Sequence, residues 1–233
     1  PSVSVAYRFG LASICLFIWC LWRKDSLRLP WKLHGWMALQ GFFTFSLSYL
    51  CTYSSEQYLV SALVAVLFAL MVIWSPITER IFFKKPLSWR IWSAALISIT
   101  GVILLFFPAL KSNWEDTHSG HDTHFLLGLG LALTATLAST FGNVVVVKVR
   151  QYSQNVLLTM AWAMAWGTVW VSLFAIANGE QWTLPSGINY WLSLIYLSLF
   201  GSVIAFACYF TLIHRIGAQK TVFIGVITPI ISV

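Results

Sequence analysis

Basic residues in this chain fall in every second gap between hydrophobic stretches. Arg23, Lys24, Arg28 and Lys32 fill one gap, and Arg80, Lys84, Lys85 and Arg90 a second. Lys148 and Arg150 fill a third, and Arg215 and Lys220 a fourth. The intervening gaps hold Glu56, then Glu115, Asp116 and Asp122 with Lys111, then Glu180. Of the 14 Lys and Arg residues, only Lys111 and Arg8 fall outside the basic gaps, and Arg8 lies inside a hydrophobic stretch. Short loops retain positive charge on the cytoplasmic side of a membrane, so this alternation describes a chain threaded back and forth through a bilayer.

Composition agrees. The chain is 59% hydrophobic and only 9% charged, with a mean hydropathy of +0.80. A soluble domain needs about a quarter of its residues charged to cover its surface, so lipid must solvate much of this one. The net charge of +7 is confined to loops and follows topology, which sets nucleic acid aside as a partner. Cys15, Cys20, Cys51 and Cys208 lie in apolar stretches without a CxxC spacing, reading as buried thiols rather than disulfides or metal ligands. Trp19, Trp22, Trp31, Trp36, Trp89 and Trp92 sit near the ends of stretches, as interfacial aromatic belts do. The chain opens at Pro1 directly on an apolar run, without an initiator Met, which reads as a cropped start.

A spanning helix needs roughly 20 apolar residues. Seven stretches qualify: 3–22, 33–53, 59–83, 89–107, 125–147, 156–177 and 191–213, and an eighth begins near Thr221. The reading is an all-α polytopic membrane protein of about eight transmembrane helices. Connections are short and imply antiparallel neighbours, except for the polar, acidic run from Pro108 to His124. That run divides the chain into a first half, 1–110, an extracytoplasmic loop, 111–124, and a second half, 125–233. At an offset of 160, Trp31 meets Trp191, Leu39 meets Leu199, Gly41 meets Gly201 and Tyr49 meets Tyr209. The charge rule starts the first of these segments inside and the second outside. Similar segments of opposite orientation are the mark of an inverted-repeat helical bundle, which places a binding site near the midplane.

The run from Tyr58 to Met71, YLVSALVAVLFALM, resembles the fourth helix of EamA-type transporters in the drug/metabolite transporter superfamily. Tyr7-Arg8-Phe9-Gly10 is similar to the start of that family's second helix, and 212–231, with Ile216-Gly217-Ala218 and Thr228-Pro229, to its eighth-to-ninth helix region. The resemblance implies ten helices in two inverted five-helix repeats with both termini cytoplasmic. This chain would then carry helices two to eight and part of nine. It also implies export of amino acids or similar metabolites from the bacterial cell.

Transport by alternating access needs a polar pocket hidden from lipid, so polar side chains should share helix faces. Gln40, Thr44 and Ser48 form one stripe, continued by Cys51. Thr136, Thr140 and Asn143 form a second, flanked by Ser139. Ser198, Ser202 and Tyr209 form a third, and Thr221, Gly225, Thr228 and Ser232 a fourth beside Pro229. The expected substrate-binding set is Gln40, Thr44, Ser48, Thr140, Asn143, Ser202, Tyr209 and Thr228. Ser and Thr also bond their own helix backbone, and small residues let helices approach, so packing competes with ligand contact at each. Amides have more groups to satisfy, which singles out Gln40 and Asn143.

Arg8 lies ~8 Å of helix rise from the start of its stretch. It either snorkels to the outer headgroups or faces inward and pairs with an anionic group of a solute. Pro76 should bend its helix, and Glu79 beside Arg80 reads as a surface ion pair. No Asp or Glu appears deep in a stretch, so the sequence names no coupling proton site. His118, His121, Asp122 and His124 could bind zinc but read better as a solvated loop. No nucleophile–base constellation or phosphate loop appears, so no cofactor is expected. The expected function is a secondary transporter, exporting a small amphipathic metabolite across the inner membrane. A membrane-embedded enzyme or a structural assembly subunit is the alternative.

Overall fold

In a computed structural model of the chain, residues 2–86, 88–105, 107–108, 111, 122–182 and 187–227 are described. Every described regular element is helical. In chain order they are α1 (Ser2–Trp22), α2 (Trp31–Gln40), a first π-helical segment (Gly41–Leu47), α3 (Ser48–Ser55), α4 (Ser61–Ala69), α5 (Met71–Phe83) and α6 (Trp89–Leu105). There follow α7 (Asp122–Arg150), α8 (Val156–Ala177), α9 (Ile188–Ser198), a second π-helical segment (Leu199–Ile204), α10 (Ala205–Ile216) and α11 (Ala218–Thr221). Each of the seven full apolar stretches of the sequence is therefore helical over its described residues, with ends within a few residues of those expected.

Among the described residues, five helical runs are long and apolar enough to cross a bilayer: Ser2–Trp22, Ser61–Phe83, His124–Arg150, Val156–Ala177 and Ile188–Ile216. Of the other two stretches, 89–105 is short of that length at 17 residues, and 31–55 is diluted by Gln40, Thr44, Ser46 and Ser48. With apolar side chains such as Ile97, Ile188 and Trp89 largely exposed, the surface is one that lipid must cover. The chain is an all-α polytopic membrane protein.

Two compact units make up the chain. The first comprises Pro1–Leu47 and Val145–Ile216. Contacts within it fix the helix directions. Ser2 Oγ donates to Glu180 Oε1 at 2.7 Å and Ser13 Oγ to the Ala161 carbonyl at 3.0 Å, so α1 runs antiparallel to α8. Ser4 meets Tyr190 and Arg8 meets Ser202, so α1 runs parallel to α9 and its π-helical continuation. Trp162 Nε1 donates to Leu27 O and Trp170 Nε1 to Ala38 O, so α2 runs with α8. These directions gather Arg23, Lys24, Lys148, Arg150 and Arg215 at one end of the unit and Glu180 at the other, matching the alternation of charge in the sequence.

The second unit comprises Ser48–Val144 and Gly217–Val233. One core cluster is Leu59, Leu63, Val64, Leu67 and Ala132, where α4 meets α7. Another is Ala69, Val72, Ala95, Val222 and Val226. Each compact unit thus draws segments from both sides of the long acidic run. Through Pro76 the backbone of α5 stays helical, and the break in this stretch falls instead at Leu70, whose N–H bonds Leu67 O in the tighter i→i−3 manner.

Two expectations are corrected. Glu79 is buried, with 1% of its surface exposed, and its ionic partner is Lys85 at 2.7 Å rather than Arg80. Successive helical residues point about 100° apart, so Arg80 faces away while the chain after α5 turns Lys85 back. Of the four thiols, only Cys20 is buried, and Cys208 is exposed on the apolar surface. His118, His121, Thr228, Pro229 and Ser232 lie outside the described residues.

Glu180, beyond the end of α8, yields a small prediction. The Ser2 hydroxyl bond holds its carboxyl below the usual range, partly opposed by desolvation. A depressed folded-state value contributes stability above the unfolded pKa that is lost as pH falls through the folded one. The melting temperature of the wild type should therefore decline slightly further than that of Ser2→Ala between pH 6 and about pH 3. Parallel curves for the two proteins would discount this bond.

Candidate functional site

The centre of the first unit is built on its two π-helical segments. A π turn bonds i to i+5, inserts an extra residue, and leaves carbonyls short of partners, which is why such turns recur at functional sites. At the offset of 160, Gly41–Leu47 aligns with 201–207 and so overlaps the second segment, Leu199–Ile204. The two segments also run in opposite directions, because α2 follows α8 whereas α9 follows α1.

The first π segment exists where backbone presses on backbone. A Cβ on Gly41 would lie 2.5 Å from the Ala163 carbonyl oxygen and 2.6 Å from the Gly167 nitrogen, and one on Gly167 would lie 2.6 Å from Phe45 Cβ. Both positions require glycine because α2 and α8 meet without intervening side chains.

The second π segment is held by Arg8. Its Nε donates to Ser202 Oγ at 2.8 Å and its Nη2 to the Gly201 carbonyl at 3.1 Å. Of its two expected destinations, the headgroups or the interior, the structure shows the interior. The guanidinium also lies 5.6 Å from the centre of the Phe9 ring. Phe9 continues into an aromatic cluster, with Phe45 5.0 Å from both Phe9 and Phe206, and Phe210 5.5 Å from Phe206. This cluster is absent from the sequence reading, although Phe206 and Phe210 at i and i+4 would have signalled it.

The first three polar stripes are turned inward. Gln40, Thr44 and Ser202 in the first unit and Ser48, Thr136, Thr140 and Asn143 in the second are all buried, as is Ser198. Tyr209 is half-buried. Several hydroxyls answer to the packing reading: Thr140 donates to Thr136 O, Thr136 to Ala132 O and Ser198 to Leu194 O, each one turn back along its own helix. Ser48 instead reaches across to α7, with its Oγ 2.6 Å from Ser139 Oγ and 3.1 Å from Ala135 O. Thr44 is the outlier. Its Oγ1 is buried without a hydrogen-bond partner among the described residues, an arrangement that costs ~1–3 kcal/mol unless a further group meets it.

A cavity of about 310 Å³ opens near the Glu180 end of the first unit, lined by Tyr7, Gly10, Thr168, Ser172, Trp182 and Trp191 among others. That is the lower end of the size range for small-molecule pockets. Its walls are almost wholly apolar, and none of the expected binding residues lines it.

A multi-pass helical protein with buried polar stripes, an intramembrane arginine and paired π segments has the build of a membrane transporter. Comparison with known proteins makes the assignment. The chain belongs to the EamA-like transporter family, whose profile matches residues 1–107 and 126–233. It is therefore a membrane transporter of the drug/metabolite superfamily. It is similar to the uncharacterized transporter YdfC of Bacillus subtilis (strain 168), with 23% identity over 235 residues, covering 100% of this chain and 72% of the relative. It is likewise similar to an uncharacterized transporter in the trpA 3′ region of Buchnera aphidicola subsp. Schlechtendalia chinensis, with 26% identity, covering 100% of this chain and 73% of the relative. Sucrose permease of Escherichia coli matches 87% of this chain and 43% of its own length at 26% identity.

Proposed function

We propose that the protein exports a small amphipathic metabolite, such as an amino acid, across the bacterial inner membrane by alternating access, and is a transporter rather than an enzyme. Halves 1–110 and 125–233 would rock as inverted repeats about a solute lined by Gln40, Thr44, Ser48, Thr140, Asn143, Ser202, Tyr209 and Thr228. Arg8 would supply charge complementarity to an anionic group of that solute. The observation that carries this reading is the burial of every described member of the set except Tyr209. Nonionic polar side chains in hydrocarbon are retained where they face one another or a solute rather than lipid. Thr44 adds a hydroxyl still to be satisfied.

The test is flux of a radiolabelled amino-acid mixture through proteoliposomes. Gln40→Ala and Asn143→Ala should each lower the rate at least about tenfold, the effect of stranding a hydrogen-bonding group in a solute site. Both variants transporting at the wild-type rate would remove these residues from the site.

A further inference from the structure

Glu79 is the one buried carboxylate among the described residues, and nothing in the transport reading uses it. It lies on the inward face of α5, in register with Val72, Ser75 and Pro76. Its Oε2 receives Lys85 Nζ at 2.7 Å, and its Oε1 accepts the backbone N–H of Gln219 at 3.2 Å. Glu79 is almost wholly enclosed, whereas the side chain of Lys85 is 42% exposed. One charge is thus fixed in the packing, and its partner can leave for water.

The surrounding backbone is arranged for this contact. Lys84 adopts a left-handed conformation (φ 53°) that ends α5 and folds Lys85 back towards the helix. Gly217 has φ 86° and turns the chain from α10 into α11. The segment after Gly217 then lies on α5 through Val222 and Val226, which pack against Val72. The other charged groups on these elements, Arg80, Lys84 and Lys220, are basic and exposed. Gln219 is buried, yet its side-chain nitrogen has no hydrogen-bond partner among the described residues. A buried amide left unmet is rare in a folded protein and marks a group that its present packing does not satisfy.

We propose that Glu79, Lys85 and the Gln219 N–H form a latch at the basic-loop end of the second unit, released and remade as the protein transports. Glu79 is the hub, Lys85 the releasable partner, and the Gly217–Thr221 turn the part set free. The proposal rests on the transport reading, since it assigns the latch a place in that cycle.

The experiment uses the full chain in liposomes, with Thr221→Cys as reporter, Cys20 kept as a buried reference in the first unit, and Cys15, Cys51 and Cys208 replaced by alanine. A membrane-impermeant maleimide is applied from the basic-loop side. In Lys85→Met and Glu79→Gln, labelling at position 221 should accelerate about tenfold or more, because removing one member of a buried ion pair strands the other. Lys85→Arg retains the pair and should label at the parental rate. Cys20 should be unaffected throughout. Equal acceleration at 221 and Cys20 would mean general loosening and would overturn the latch, as would unchanged labelling at 221. Flux of the amino-acid mixture, measured alongside, should fall in Lys85→Met and persist in Lys85→Arg. Absence of flux from every protein, with the labelling pattern intact, would remove the transport reading and leave the ionic contact as a structural one.

Discussion

Gly41→Ala is expected to destabilise this protein by about 3 kcal/mol, the upper part of the range for overpacking. The added methyl would stand 2.5 Å from Ala163 O, 2.6 Å from Gly167 N and 3.1 Å from Trp166 C. All three are backbone atoms of α8, so no rotamer change relieves the clash, and the helices must separate. Separation would also disturb the ring contacts of Phe45 with Phe9 and Phe206, because Phe45 lies one turn further along the same segment. Gly167→Ala should behave alike, since its Cβ would meet Phe45 Cβ at 2.6 Å. Gly35→Ala is the control. It lies on the same helix with nothing within 4 Å of the added atom, and an exposed helical glycine gains up to about 1 kcal/mol on becoming alanine. Melting temperatures in detergent should rank Gly35→Ala at or above wild type and Gly41→Ala far below it. Equal melting of the two variants would show that α2 and α8 do not meet at this crossing.

The transmembrane organisation was legible because it rests on two one-dimensional signals, apolar runs of spanning length and charge confined to alternate gaps. Helix directions in the first unit follow the charge alternation, and the inward aspect of Gln40, Thr44, Thr140, Asn143 and Ser202 follows from helical spacing. What was hidden depends on contacts between residues distant in sequence. Nothing in the composition of 41–47 distinguishes i→i+5 from i→i+4 bonding. The distinction comes from Gly41 pressing on α8, and from Arg8 meeting the Gly201 carbonyl and the Ser202 hydroxyl nearly two hundred residues away. Glu79 was assigned to its sequence neighbour Arg80, whereas its true partner is reached through the left-handed turn at Lys84. The polarity of a residue was readable, but its partner was not.

Arg8→Met is the second substitution with a large expected effect. An arginine within a membrane helix is costly unless its donors are matched, and here two of them are directed into the second π segment. Removing the guanidinium strands the Gly201 carbonyl and the Ser202 hydroxyl together, at roughly 1–3 kcal/mol for each buried group left unpaired. Arg8→Lys should recover only part of this, because an ammonium is a point donor and cannot span Ser202 Oγ and Gly201 O in the geometry of the fork. Ser202→Ala should cost less than Arg8→Met, since the 3.1 Å bond to Gly201 survives. In the double variant the two losses should fall short of additivity by about 1–2 kcal/mol, the signature of groups that act on each other. Unfolding in mixed detergent measures all four proteins. Function provides a second readout: a π turn relaxing to α-helix removes one residue from the register and rotates everything beyond it by about 100°, re-aiming Phe206, Tyr209 and Phe210. Flux in Arg8→Met should therefore fall even at temperatures where the protein remains folded. Strict additivity with unimpaired flux would mean that Arg8 neither holds this segment nor sets the orientation of the residues after it.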